Sequence, residues 1–121
     1  MSDTTPFVIL CVDDDPIGLT SRRLLLNAAG YQVFTAVSGA AALRMLRRKP
    51  IQLVITDHFL PGMTGSELAA AVKARKPDVP VIVLTGAVEP PPGSESADLV
   101  LIKGMSPEEL LTAIAKLAHR N

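Results

Sequence analysis

Residues 7–16 read FVILCVDDDP, an apolar run that passes directly into three aspartates and a proline. A continuous apolar run of this length is typical of a strand that is buried on both faces of a parallel sheet. Asp15 can cap a helix that has Pro16 at its first position, where the missing N–H costs nothing. The segment therefore predicts a buried strand followed at once by a helix.

The rest of the chain repeats this alternation of apolar runs and helical periodicity. Capping residues or capping boxes mark helix starts at Asp15, Ser38, Thr64 with Glu67, and Ser106 with Glu109. This pattern predicts an α/β fold, a doubly wound five-stranded parallel sheet with helices on both faces. The predicted strands are 7–12, 31–36, 52–56, 80–84 and 99–102.

The fourth connection, residues 86–98, interrupts this rhythm because it contains Pro90, Pro91, Pro92 and Gly93. Each proline inside a helix would cost about 3 kcal/mol. We therefore expect a loop or one short turn in place of a fourth crossover helix. About a dozen residues still suffice to connect two parallel strands.

Composition limits the function classes. A chain of 121 residues has the usual size of one domain, taken as 1–121, and its 12 basic and 12 acidic residues cancel. We therefore expect no bulk attraction to nucleic acid or to a membrane surface. A single cysteine, Cys11, allows no disulfide framework, and the first residues lack a signal-peptide pattern. The expected location is the cytoplasm.

Reactive side chains follow four of the predicted strands. In an open parallel sheet, the ligand site lies outside the carboxyl ends of the strands. Four strands should therefore deliver functional groups to one edge. These groups are Asp13 and Asp14 after the first strand, Asp57 at the third, Thr85 at the fourth and Lys103 at the fifth.

These residue types favour phosphoryl chemistry. Adjacent carboxylates repel one another, and a hard dication such as Mg²⁺ relieves the conflict. A carboxylate such as Asp57 can attack phosphorus to form an acyl phosphate. Lys103 and Thr85 could bind the oxygens of the incoming phosphoryl group.

Four segments, ILCVDDDP, LVITDHFLPGMTG, VPVIVLTGA and LVLIK, resemble the response-regulator receiver family of bacterial two-component systems. The resemblance implies a flavodoxin-like sheet with strand order 2-1-3-4-5. It implies a signalling domain, not an ordinary enzyme, that accepts a phosphoryl group from a histidine kinase or a histidine phosphotransfer protein and acts on an unknown downstream protein. It also implies roles for individual residues: Asp57 as phosphoacceptor, Asp13 and Asp14 as the acidic pair with Asp14 on the metal, the Phe59 carbonyl as a further ligand, Thr85 as switch hydroxyl and Lys103 as phosphate-binding lysine.

The sequence departs from that family at four positions. Val100 stands where most members have an aromatic switch residue, and Gly104 replaces a proline that commonly follows the lysine through a cis bond. Phe59 and Ala87 offer no side-chain hydrogen bond to a hydrolytic water. We therefore expect an altered switch and slow self-dephosphorylation.

Two other readings compete with this one. Asp13-x-Asp15 after an apolar strand resembles the nucleophile motif of haloacid-dehalogenase-like phosphatases, in which Asp13 would be the nucleophile. The second alternative is an interaction module on the receiver fold that works without phosphorylation. His58, beside Asp57, is interpreted as a loop residue and not as a phosphohistidine.

Overall fold

The structure is a computed structural model that describes residues 5–86 and 90–118. Strands and helices alternate along these residues in the predicted way. A single 3₁₀ turn, Ser94–Ser96, lies in the fourth connection. The other elements are β1 Val8–Val12, α1 Pro16–Ala28, β2 Gln32–Ala36, α2 Gly39–Arg48, β3 Leu53–Asp57, β4 Phe59–Leu60, β5 Met63–Thr64, α3 Gly65–Arg75, β6 Val81–Thr85, β7 Leu99–Ile102 and α4 Pro107–Ala118.

The main sheet is parallel, with the strand order β2-β1-β3-β6-β7. This is the predicted order 2-1-3-4-5 once the short strands β4 and β5 are left out. Those two strands form an antiparallel pair between β3 and α3. They were not predicted, because two residues carry no periodic signal. The flavodoxin-like, doubly wound fold is confirmed.

The sheet separates two apolar cores. Alternate residues of β1 point to opposite faces, so that Leu10 packs with α2 and α3 while Ile9 packs with α1 and α4. Cys11 lies in the second core, where burial raises the pKa of its thiol to about 12. The thiol is therefore neutral, in agreement with the prediction that this strand is buried on both faces. None of the helices in residues 5–86 and 90–118 is long and apolar enough to cross a membrane.

The predicted helix caps are all present. Asp15 Oδ1 accepts the Ile17 N–H at 3.2 Å, and Ser38 Oγ accepts the Ala41 N–H at 3.1 Å. The other two helices start with complete capping boxes. The pairs are Thr64 with Glu67, at 3.1 and 2.8 Å, and Ser106 with Glu109, at the same two distances.

The fourth connection has no α-helix in its described part, residues 90–98, which confirms the expected loop with one short turn. An ionic tether fixes its end instead. Asp98 Oδ2 accepts the Val81 N–H at 2.7 Å and lies 2.6 Å from Lys73 Nζ of α3. Lys73 also donates to the Val79 carbonyl at 2.9 Å. These contacts hold the start of β7 against β6 and α3.

Gly65, the first residue of α3, lies against the backbone at the end of β3. A Cβ at this position would be 2.5 Å from the Asp57 carbonyl oxygen and 2.9 Å from His58 Cα. The Gly65 N–H also donates to the His58 carbonyl at 2.6 Å. The start of α3 can reach this position only because residue 65 has no side chain.

We predict that Gly65→Ala lowers the free energy of unfolding by about 1–3 kcal/mol, because backbone atoms have to shift. The destabilisation from this backbone shift should outweigh the gain of about 1 kcal/mol that alanine normally brings to a helix. Urea denaturation measures the difference. Gly86→Ala is the control, since Gly86 is exposed and no described atom lies within 4 Å of its Cβ position. Equal stability of the two variants would contradict the prediction.

Candidate functional site

The carboxyl ends of β1, β3, β6 and β7 bring the predicted side chains to one edge of the sheet. Backbone hydrogen bonds continue just past the strand ends and fix this arrangement. The Asp13 N–H donates to the Ala36 carbonyl at 3.1 Å, and the Lys103 N–H donates to the Thr85 carbonyl at 2.7 Å. Asp57 is itself the last residue of β3, opposite Leu84 of β6.

The three acidic residues form one cluster. Asp13, Asp14 and Asp57 each offer a carboxylate oxygen within 4.8 Å of the others. Asp13 and Asp57 are buried, whereas Asp14 is exposed. Charged carboxylates this close and this poorly hydrated require positive charge or protons nearby. The cluster therefore has the composition of a site for a hard cation.

Lys103 supplies one positive charge to this cluster. Its Nζ lies 2.7 Å from Asp57 Oδ1, although the pair does not align as a hydrogen bond. The Lys103 side chain is 44% exposed and the Asp57 side chain only 8%. The lysine therefore reaches the buried carboxylate from the solvent side, where a ligand would also arrive.

Arg22 of α1 supplies a second positive charge that the sequence reading missed. Its Nη1 donates to Asp13 Oδ2 at 3.4 Å, while Asp13 Oδ1 accepts the Asp15 N–H at 3.0 Å. Both oxygens of Asp13 thus have protein partners. Arg22 stands seven residues after the Asp15 cap, which is two helical turns, and that spacing could have indicated its direction.

Three further residues belong to the two strands beyond β3 in the sheet: Thr85 ends β6, Val100 lies in β7 and Gly104 follows β7. Thr85 is buried at the end of β6. Val100 is half-buried, is paired with Val83 and packs in the core beneath α2 and α3. Gly104 has a φ of 97°, which favours glycine, and the described peptide bonds are trans. The chain therefore forms this loop without the cis proline of the family.

His58 and Phe59 follow Asp57 directly in the sequence. His58 is buried, although it was interpreted as a loop residue and loop residues are usually exposed. Its Nδ1 has no partner among the described residues. Its ring meets that of Phe59 edge to face at 4.9 Å. Phe59 is 71% exposed and stands two residues after Asp57 in the sequence. Ala87 lies outside the described residues.

The sequence is similar to two curated regulators. It is 45% identical over 80 residues to the transcriptional regulatory protein GlrR of Escherichia coli, covering 66% of this chain and 18% of that protein. It is 32% identical over 118 residues to the transcriptional regulatory protein KdpE of Mycobacterium tuberculosis, covering 94% and 52%. The chain thus spans about half or less of these relatives.

A solved structure with the same fold is that of the response regulator protein TrrA from Thermotoga maritima, described as a complex with Mg²⁺-BeF. It superimposes with a TM-score of 0.85 at 32% identity, covering 91% of this chain and 97% of that one. The sequence profile described as "Response regulator receiver domain" matches residues 9–115. The fold, the acidic cluster at the edge of the sheet and the match to the sequence profile all agree. The chain belongs to the response regulator receiver domain family.

Proposed function

We propose that this chain is a phosphoacceptor receiver domain in which Asp57 takes a phosphoryl group from a histidine kinase or a histidine phosphotransfer protein. The observation that carries the proposal is the buried Asp57 carboxylate, clustered with two further aspartates and paired with Lys103. The whole chain, residues 1–121, is treated as one such domain. Its location in the cytoplasm, and the absence of nucleic-acid and membrane partners, stay predictions.

The residues of the cluster suit Mg²⁺. All three side chains offer carboxylate oxygens, the ligands that this cation prefers. Asp14 and Asp57, with the Phe59 carbonyl, would hold the ion, and Asp13 would support it from its hydrogen-bonded position. When bound, Mg²⁺ would neutralise negative charge on the cluster and on an arriving phosphoryl group.

The chemistry then belongs to the side chains of this chain. An Asp57 oxygen attacks phosphorus, so that an O–P bond forms while the N–P bond of the donor histidine breaks. The Lys103 ammonium, already 2.7 Å from Asp57, can follow the charge onto a phosphoryl oxygen. We propose that the Thr85 hydroxyl, at the end of the neighbouring strand β6, binds a second oxygen. Thr85, Lys103 and Asp57 are the proposed reactive set.

The phosphatase alternative is weaker because its nucleophile would be Asp13. Both Asp13 oxygens accept hydrogen bonds from the protein, and the side chain is held between Arg22 and the start of α1. Asp15, the other acid of that motif, is occupied as the cap of α1. We therefore expect one stable phosphoryl adduct and no turnover of phosphate monoesters.

We predict that the chain gains one phosphoryl group when it is incubated with Mg²⁺ and a small acyl phosphate or phosphoramidate. Asp57→Asn should reduce the gain by about a hundredfold or more, because an amide is not a nucleophile toward phosphorus. Intact mass spectrometry measures the adduct. Omission of Mg²⁺ should prevent the gain in the parent.

The matched control is Asp78→Asn, which removes an exposed carboxylate from the turn after α3. This variant should be phosphorylated like the parent. Phosphorylation that persists in Asp57→Asn but is lost in Asp13→Asn would contradict the proposal and support the phosphatase reading.

A further prediction concerns the lifetime of the adduct. The Phe59 ring cannot orient a water, so Phe59→Asn should shorten the lifetime by about tenfold by offering an exposed amide two residues after Asp57. The decay is followed by mass after the donor is removed. Phe59→Leu, which is also unable to orient water, should decay like the parent. Equal lifetimes for all three proteins would contradict the idea.

A further inference from the structure

Arg22 forms the least exposed charge pair of those described at the functional edge. Its Nη1 lies 3.4 Å from Asp13 Oδ2, with side-chain exposures of 15% for Arg22 and 5% for Asp13. The Lys103–Asp57 pair, by comparison, has a lysine that is 44% exposed. A pair with little solvent around it is screened weakly, so its charge acts strongly on neighbouring groups.

Arg22 reaches the acidic cluster through Asp13. Arg22, Asp13 and Lys103 line one groove of about 510 Å³ between α1 and the segment that leads into α4. The field of Arg22 also reaches the inside of the sheet. The buried Cys11 thiol has its pKa raised by burial above all, while Arg22 lowers this pKa and Asp13 raises it.

A charge count shows what Arg22 changes. Asp13, Asp14 and Asp57 contribute three negative formal charges, and Lys103 and Arg22 contribute two positive ones. The site therefore carries one net negative charge with Arg22 and two without it. A dication arriving at the site is attracted less strongly when the arginine is present.

We propose that Arg22 is a positioning residue that holds Asp13 in place in the metal-free site and weakens the binding of Mg²⁺. This inference rests on the proposed metal site and adds to it a residue of α1. Without metal, Arg22 stabilises the site because it compensates a buried carboxylate that would otherwise stand beside Asp57 without an opposite charge in contact. The same charge opposes the dication, so stability without metal and affinity for metal change in opposite directions.

The test is isothermal titration of the full chain with MgCl₂, comparing the parent with Arg22→Met. The methionine keeps much of the apolar stem and removes the charge. We expect Mg²⁺ to bind about tenfold more tightly to the variant, a factor reduced by solvent from the unscreened Coulomb value. Arg22→Lys, which restores a positive charge, should return the affinity to within about threefold of the parent.

Arg23→Met is the matched control. Arg23 is the next residue of α1 and forms no ion pair with the described residues. Its replacement should leave the Mg²⁺ affinity unchanged. Any loss of charge from the helix in general would affect both variants, whereas the proposed effect requires the contact with Asp13.

Thermal unfolding supplies a second readout, independent of phosphorylation. Without metal, Arg22→Met should melt at a lower temperature than the parent, and saturating Mg²⁺ should narrow this gap because metal binding stabilises the folded state by mass action. A merely structural role for Arg22 would leave the gap unchanged. If Arg22→Met does not fold, Arg22→Gln removes the charge while keeping a polar side chain with a hydrogen-bond donor.

The outcomes separate the two proposals. A parent that binds no Mg²⁺ would overturn the metal site, and with it the role of Arg22. A parent that binds Mg²⁺ with the same affinity as the neutral variants, or with higher affinity, would overturn the role of Arg22 alone. Tighter binding to the neutral variants, with Arg23→Met unchanged, would support it.

Discussion

Two carboxylates, Asp13 and Asp57, are buried at the edge of an apolar sheet, and a third, Asp14, stands beside them. Mutual repulsion and poor hydration make this arrangement unfavourable unless cations offset it. Lys103 and Arg22 offset part of it from opposite sides, one from the end of β7 and the other from α1. The remaining negative charge favours the binding of a cation at this edge.

The fold brings these groups together without a left-handed backbone at any described residue other than glycine. Asp15 starts α1 immediately after the acidic pair, which places Arg22 two turns later over the same strand end. Gly65 lets α3 begin against the backbone of Asp57. At the outer strand, the Lys73–Asp98 ion pair anchors the start of β7. A helix in the connection between β6 and β7 would otherwise contribute packing there. The first two devices act at the carboxyl ends of β1 and β3, where Asp13 and Asp57 lie, and the third fixes the opposite end of β7.

Most of the fold was predictable because its signals are local. The strands, the caps at Asp15 and Ser38, and the boxes at Thr64 and Ser106 depend on residues within a few positions of one another. The edge that gathers the acidic residues followed from the rule that parallel strands share their carboxyl ends. Contacts between distant residues could not be predicted. The hydrogen bond between Asp98 and Val81 joins residues 17 positions apart, and no sequence pattern indicates it. The close approach of Gly65 to the Asp57 backbone likewise has no signal in the sequence.

The absence of an aromatic residue at position 100 changes how the site connects to the rest of the molecule. Val100 packs inward beside Val83, so it has no ring to exchange between exposed and buried positions. The remaining link from Asp57 outward runs through Lys103, whose N–H is bonded to the Thr85 carbonyl at 2.7 Å and whose next residue, Gly104, has left-handed backbone geometry. If Lys103 follows charge from Asp57 to a phosphoryl oxygen, as proposed, the glycine loop and the end of β6 would move with it. The start of β7 is anchored by Asp98 and would stay in place, so we expect the movement at the functional edge and in the segment that leads into α4.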